Sequence, residues 1–386
     1  MRKVKFLLLL GVLHLSACTT TSSLVSVSSA EVDRLLTGEA LFGARAAEFS
    51  LPEEDLFALT DEMKAFADAS VGADMGASYR AIELQRALLM PGALGLSYNP
   101  YVTSTAAEAF AVQEGNCLTF TALYYSLARY LGIKAYINEV DVPASWDLKG
   151  DNTYVFFRHV NVKVKLPGGK KMVVDLDMDN YQARYRQRRI TKDALRVQYF
   201  NNRAMELLTT GNSEGAFLSL KKAISLDADK AYLWSNLGIL FKRNHLLPQS
   251  EVAFRKALVV EPGNSTVAAS NLARLYKRLG KPDKASQFER LVSSYRYKNP
   301  YFQFHLAEES LAAGNLDEAL KRVRKAIRGV EGEARFYDLQ AKIYVRLGKL
   351  TKAQKSLDKA VEVAKPNARQ VYRRRAQRLN DRIQVY

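Results

Sequence analysis

A period of about 34 residues constrains the fold of this 386-residue chain more than any other feature of its sequence. The clearest unit runs from Ala231 to about Asn264. Its large and small side chains stand at fixed offsets: Trp234, Leu237, Gly238, Phe241, Phe254, Ala257 and Pro262. Small residues such as Gly238 and Ala257 let two helices approach closely, and Pro262 ends the second helix. The period therefore predicts an array of helix-turn-helix units.

Four further units keep the same register. They start near Val197, Thr266, Pro300 and Ala334, and their turns carry Gly211-Asn212, Gly280-Lys281-Pro282, Gly314-Asn315 and Gly348-Lys349. The five units together resemble tetratricopeptide repeats. They predict an all-α repeat solenoid over residues 197–365, with a basic capping helix over 366–386. The resemblance implies a surface that binds a protein or peptide partner, and an irregular helical bundle is the alternative.

The first residues of the chain have the pattern of an export signal. Arg2, Lys3 and Lys5 precede an apolar run over residues 6–15, which is too short to be a good membrane-spanning helix. The run ends in Leu15-Ser16-Ala17-Cys18, which resembles the cleavage motif of bacterial lipoproteins. An ordinary secretory signal with an incidental cysteine is the alternative.

The lipoprotein resemblance implies a signal peptide over residues 1–17, a lipid anchor at Cys18 and a flexible tether over residues 18–30. It also implies a location in the bacterial cell envelope, at the outer membrane and facing the periplasm. The chain has two cysteines, so a lipidated Cys18 leaves Cys117 without a disulfide partner in an oxidising compartment.

Cys117 is predicted to lie at the start of a helix. Gly115-Asn116-Cys117 is followed by apolar residues three or four positions apart: Phe120, Leu123, Tyr124, Leu127 and Leu131. The free backbone N–H groups at a helix start favour a thiolate, and this is the usual setting of a nucleophilic cysteine. The alternative is a cysteine that is simply buried in its helix.

A predicted hairpin follows this helix. Residues 153–166 alternate between apolar and polar side chains, which predicts a strand with His159 on its polar face. Pro167-Gly168-Gly169 is a turn, and residues 171–177 predict the partner strand. Asp175 is then expected to lie near His159.

These segments resemble the transglutaminase-like core of the papain-type fold. The matching segments are Gly115-Asn116-Cys117, Leu131-Gly132-Ile133-Lys134-Ala135, His159 and Val173-Val174-Asp175. The resemblance covers about residues 98–181, within a larger region of residues 31–190, and it implies an α+β fold. It also implies that Cys117 is a nucleophile, that His159 takes its proton and that Asp175 orients the imidazole.

The sequence departs from the family in two places. His159-Val160-Asn161 stands where the family often has His-Ala-Trp, and Asp177 shares a face with Asp175, so either can be the third member. The expected oxyanion donors are the backbone N–H of Cys117 and the side chain of Gln113. The sequence has no Cys/His cluster with ligand spacing, so we expect neither a metal nor another cofactor.

The region before this core is predicted to be mostly helical. Ser50-Leu51-Pro52-Glu53-Glu54 combines a capping serine, an early proline and acids in the first turn, so it predicts a helix start. Residues 78–90 predict a second helix, which Pro91-Gly92 ends.

The charge of the chain is strongly basic and unevenly distributed. The formal net charge is +17, and bases dominate notably in residues 184–189 and 373–378. An exported protein rarely meets nucleic acid, so we do not expect a nucleic-acid partner. Anionic lipid head groups, lipopolysaccharide phosphates or acidic partner proteins suit this charge. Simple solvated helix faces are the alternative.

These features predict an anchored, exported thiol enzyme that acts on amide bonds and recruits its substrate or partner through the repeats. The sequence does not choose between a cysteine protease or amidase and a transamidase, and it does not name the substrate or the oligomeric state. The alternative is a non-enzymatic envelope scaffold that docks a protein complex through the repeats, with an inactive transglutaminase-like domain.

Overall fold

The computed structural model describes residues 25–140, 159–176, 185–262, 265–364 and 366–384. The chain divides into two compact units. One contains the described part of residues 1–50 together with residues 228–289, and the other contains residues 51–227 and 290–386. Part of the predicted N-terminal region, up to Ser50, thus groups with repeat helices, and the predicted domain boundary near residue 190 stays a prediction.

The first unit consists of helices from two separate segments of the chain. They are α1 (Ser29–Thr37) and α2 (Glu39–Phe42), a 3₁₀ turn (Gly43–Glu48), and, in the second segment, α9 (Ala231–Arg243), α10 (Leu247–Val260) and α11 (Thr266–Arg278). Helix α12 (Pro282–Lys298) contains the boundary between the units. Helix α1 packs on α10, and Arg255 of α10 pairs with Glu31 of α1.

The second unit begins with helices and a small sheet. The helices are α3 (Asp61–Ser70), α4 (Ala77–Leu89), α5 (Ala106–Val112) and α6 (Cys117–Tyr130). The strands are β1 (Ser97–Tyr98), β2 (Glu114–Gly115), β3 (Ala135–Val140), β4 (His159–Lys165), β5 (Lys171–Val174) and β6 (Gln187–Arg189). The second unit continues with α7 (Lys192–Thr209), α8 (Ser213–Leu226), α13 (Pro300–Ala312), α14 (Leu316–Gly329), α15 (Ala334–Arg346), α16 (Leu350–Val363) and α17 (Pro366–Gln384).

Strands β1 and β2 form a two-stranded sheet, and a four-stranded sheet packs β4 against α6. The order of the four-stranded sheet is β5-β4-β3-β6, and each neighbouring pair is antiparallel. Val160, Val162 and Val164 of β4 are buried as the period-two pattern predicts, but His159 and Asn161 on the polar face are buried as well. Val162 and Val164 share a core with Phe120 and Leu127 of α6. The predicted turn is a short 3₁₀ segment (Pro167–Gly169), so the hairpin is confirmed.

The predicted helix start at Ser50 is wrong. Residues 51–59 form no helix, and α3 begins only after Thr60, whose side chain accepts a hydrogen bond from the N–H of Met63. The Oδ1 of Asp55 instead accepts from the N–H of Phe57 at 3.0 Å, a local turn that competes with helix. The second predicted helix is confirmed as Ala77–Leu89.

The helices of the predicted repeats form packed antiparallel pairs. Contacts join α7 to α8, α9 to α10, α13 to α14 and α15 to α16, and α17 packs on α16. In α9, a Cβ at Gly238 would lie 2.6 Å from the ring of Phe254 in α10, so only glycine permits this approach. The first pair starts at Lys192, capped by Thr191, which is earlier than the predicted Val197.

Within the described ranges, the helices include none that is both long enough and apolar enough to span a bilayer.

Candidate functional site

The start of α6 places Cys117 at the first position of a helix. Asn116 caps this helix, because its Oδ1 accepts hydrogen bonds from the N–H groups of Leu118 and Thr119, each at 3.0 Å. The Nδ2 of Asn116 donates to the hydroxyl of Thr103 at 2.8 Å, which fixes the cap from its other side. Cys117 is partly exposed, so its thiol is accessible at the end of a rigid helix.

His159 and Asp175 meet at the edge of the β4–β5 hairpin. The register pairs Val174 with Val162, so Asp175, which follows β5, reaches the polar face of β4. The Nε2 of His159 lies 2.6 Å from the Oδ2 of Asp175, and both side chains are buried. The thiol of Cys117 lies close enough to the same imidazole to raise its pKa. The structure thus brings together three side chains predicted from the sequence, and their catalytic roles stay a prediction.

The surroundings of His159 decide its charge. Burial opposes protonation of the ring, but hydrogen bonds to Asp175 and Cys117 outweigh it and raise the pKa of His159 from its ordinary 6.5 to about 10. The ring therefore carries a proton at neutral pH, between a carboxylate and a thiol. An imidazolium in this position stabilises a neighbouring thiolate and holds a proton ready for a leaving group.

Sequence reasoning did not single out one residue of this site, Asn161. Its Nδ2 donates to the same Oδ2 of Asp175 at 2.9 Å, and the residue is completely buried. Asn161 follows His159 by two positions, so the alternation of β4 already placed both on one face. This face is buried in the folded protein. The alternation in the sequence does not show whether a polar face is buried or exposed to solvent.

Helix α7, the first helix of the repeats, contacts residues next to the site. Glu206 lies close to Thr103, the residue that also holds Asn116. Burial raises the pKa of Glu206 and outweighs the opposite effects of Thr103 and Arg203. The Nε2 of Gln198 donates to Oε1 of Glu139 on β3 at 2.9 Å, and Glu139 is buried. The first repeat helix is therefore part of the structure that holds the start of α6.

The structure does not test the roles of the remaining predicted site residues. Gln113 ends α5 in a left-handed conformation with φ of 56°, and its side chain is exposed. Its role as an oxyanion donor stays a prediction. Asp177 and Cys18 lie outside the described residues, so the predicted lipidation and the alternative third member are untested.

A groove lies at the C-terminal end of the second unit, with a volume of about 450 Å³. We call it the C-terminal groove. Its apolar lining consists of Leu311, Ala341, Val345, Leu357 and Leu379, from α13, α15, α16 and α17. The volume is in the range of pockets that take a few side chains of a ligand.

Cations surround this apolar lining. The buried carboxylate of Asp338 binds Arg375 at 2.5 Å and Lys342 at 3.0 Å, so these two cations have an acidic partner. Arg346 and Arg378 also line the groove, are exposed, and form no ion pair with any residue that the structure describes. The groove therefore presents two unneutralised guanidinium groups beside an apolar floor.

A family model for the tetratricopeptide repeat matches residues 197–230 and 334–367. Both stretches lie in the paired helices described above. The C-terminal helices therefore include tetratricopeptide-like repeats. Repeats of this kind imply protein–protein interaction. A comparison with curated proteins finds no match.

Several solved structures are also similar to part of the chain. MamA from Desulfovibrio magneticus RS-1 is 16% identical, with 44% of this chain and 94% of that chain covered and a TM-score of 0.25. YrrB, described as a TPR protein with an unusual peptide-binding site, is 21% identical, with 46% and 91% covered and a TM-score of 0.24. PilF from Pseudomonas aeruginosa is 18% identical, with 46% and 81% covered and a TM-score of 0.26. Such TM-scores are too low to relate the chains as whole folds.

Proposed function

We propose that this protein is an exported, membrane-anchored thiol enzyme that acts on amide bonds of a protein or peptide held by its repeats. One observation carries the proposal: a buried His159 is hydrogen-bonded to Asp175, and the thiol of Cys117 at a helix start lies close enough to raise the pKa of the same ring. A nucleophile beside a base that a carboxylate orients is the arrangement that nucleophilic catalysis needs.

The chemistry follows from these three groups. The thiolate of Cys117 attacks the carbonyl carbon of an amide, and the oxyanion faces the N–H groups at the start of α6. The proton that the thiol has given to His159 passes to the leaving nitrogen, and the amine departs as a thioester forms on Cys117. Water or a second amine then attacks the thioester, gives its proton to His159 and releases the thiolate. Water makes the protein a protease or amidase, and an amine makes it a transamidase.

A transglutaminase-like fold for residues about 98–181 belongs to the same proposal. The order of Cys117 on a helix, His159 on β4 and Asp175 directly after the neighbouring β5 supports it. The lipid anchor at Cys18 and the envelope location rest on the sequence motif alone.

Replacing Cys117 with alanine tests the proposal directly. We expect iodoacetamide to modify the Cys117-containing peptide of the folded protein, as read by mass spectrometry. We also expect cleavage of dye-labelled casein, or transfer of dye-labelled cadaverine onto it, to vanish in the Cys117→Ala protein. Replacing Ser235, which is buried in α9, with alanine gives a control that leaves the site intact. A thiol that stays unmodified in the folded protein would rule out this function.

A second candidate is a non-enzymatic scaffold. The comparisons support this reading better than the enzyme, because the family model matches repeat residues and protein binding is what repeats do. The C-terminal groove favours it as well. Its apolar lining and the unpaired Arg346 and Arg378 suit an acidic segment of a partner protein that carries apolar side chains.

Reversing two charges tests the scaffold reading. The Arg346→Glu/Arg378→Glu protein should bind a fluorescent peptide of alternating leucine and glutamate at least about tenfold more weakly in fluorescence anisotropy, because two attractive contacts become repulsive. A peptide with lysine in place of glutamate is the matched control and should prefer the variant. Equal affinity of both proteins for the acidic peptide would exclude the groove as the docking site. If the scaffold reading is right, Cys117→Ala leaves this binding unchanged.

A further inference from the structure

We infer that Asn161 is a positioning residue, which fixes Asp175 and through it His159 in the orientation that the proposed thiol chemistry needs. The inference rests on the proposed function and adds a member to its site. Asn161 does not face the thiol, so it is not a catalytic residue. It acts through the carboxylate that it shares with the imidazole.

Two donors meet on one carboxylate oxygen. The Nε2 of His159 and the Nδ2 of Asn161 approach the Oδ2 of Asp175 at 2.6 Å and 2.9 Å. Asp175 is 2% exposed and Asn161 is 0% exposed, so water cannot substitute for the amide. A buried carboxylate is costly without donors, and the amide supplies one from a fixed strand. The position of Oδ2 is therefore set by two neighbouring residues of β4.

A third residue determines which way the Asn161 amide points. Asn138 stands directly opposite Asn161 in the β3–β4 register, and its Nδ2 donates to the Oδ1 of Asn161 at 2.8 Å. The same Nδ2 reaches Oε1 of Gln187 on β6 at 3.2 Å. Because Oδ1 of Asn161 is occupied, its N–H groups must face Asp175. A flipped amide would put an oxygen against the carboxylate and lose both hydrogen bonds.

The chain of hydrogen bonds thus runs across three strands. It passes from Gln187 on β6 through Asn138 on β3 and Asn161 on β4 to Asp175 after β5. Each link is anchored to backbone that is paired in the sheet, so the carboxylate cannot rotate freely. Since Oδ2 fixes one nitrogen of the His159 ring, it also fixes the plane of the ring toward Cys117.

The test reads the His159–Asp175 hydrogen bond itself. The ring N–H that donates to Asp175 should give a low-field proton resonance in NMR spectra of the full-length protein. In Asn161→Ala this resonance should weaken or shift, and the alkylation rate of Cys117 by iodoacetamide should fall about tenfold or more, because the ring is no longer aligned. With casein as substrate, kcat should fall and KM should stay the same. Asn271→Ala, which removes a buried amide in α11, is the matched control and should change none of these.

The outcomes separate the inference from the proposed function. An unchanged resonance and alkylation rate in a folded Asn161→Ala protein would overturn the positioning role, whatever the protein catalyses. A Cys117 that is unreactive in the unmodified protein would overturn the function, and the resonance would still report on Asn161. If Asn161→Ala does not fold, Asn138→Ala replaces it as the test. Without Asn138, the amide of Asn161 is free to flip, so the resonance of the His159 ring N–H should weaken. An unaltered resonance overturns the inference.

Discussion

Replacing Asp175 with asparagine should remove the proton of His159 at neutral pH. In the unmodified protein, burial lowers the pKa of His159, but Asp175 and Cys117 together raise it to about 10. Asparagine has no charge to offer, while burial still disfavours the imidazolium, so the pKa should fall well below 10. Between pH 6.5 and 10, the unmodified ring is protonated and the variant ring is increasingly neutral. If the proposed function is right, turnover should fall by about a thousandfold or more, because the imidazole loses its orientation as well as its charge.

NMR titration of the carbon-bound ring protons of His159 measures this shift without any substrate. Asp338→Asn is the matched control, because it makes the same chemical change at a buried aspartate of α15 that binds Arg375 and Lys342. It should leave the titration of His159 as it was. A titration midpoint that stays near 10 in Asp175→Asn would show that Asp175 does not hold the ring.

The second large effect is expected at the Gly238–Phe254 contact between α9 and α10. Phe254→Ala should reduce the free energy of unfolding by about 3–5 kcal/mol, because a fully buried ring is removed and Gly238 has no side chain to fill the space. Urea denaturation followed by tryptophan fluorescence measures the change, since Trp234 is buried in the same unit.

A double-mutant cycle makes this prediction specific. Gly238→Ala alone should destabilise the protein by about 1–3 kcal/mol, because its Cβ would lie 2.6 Å from the ring. In the Phe254→Ala background the same change should stabilise by up to about 1 kcal/mol, since the methyl group now fits and alanine favours helix. A change of the same sign in both backgrounds would contradict the packing described for these helices.

The repeats could be predicted from the sequence because their motif residues are packing residues. Gly238 and Phe254 are needed for the approach of two helices, so their spacing in the sequence directly indicates the helix pair. The predicted start of the first repeat, near Val197, agrees with the family model, which matches from residue 197. Helix α7 itself begins earlier, at Lys192 after the cap Thr191, and this first turn does not follow the period.

The main residues of the candidate site could also be predicted, for a different reason. A cysteine after a capping asparagine and a histidine and aspartate on a short hairpin are local patterns, and local geometry brings each into position. Asn161 could not be singled out, because its importance depends on Asn138 and Asp175, which approach it only in the folded sheet.

The error at Ser50 has a similar physical origin. Its capping serine and early acids are real helix-start signals, but such signals contribute only about 1 kcal/mol. Leu56 and Phe57 are buried in the folded protein, and the hydrogen bond from Phe57 to Asp55 stabilises a turn in their place. Tertiary burial and a competing local turn together exceed the preference of the isolated segment for helix.

Helix α7 belongs at once to the first repeat and to the α+β region, and this limits how the protein can be divided or recombined. Deleting the repeats at residue 190 would leave Glu139 buried without Gln198 and would detach Glu206 from Thr103, beside the cap of α6. A shortened protein should therefore retain α7 and α8. In evolution, an exchange of the repeats before α7 would also have to replace the surface that supports Cys117.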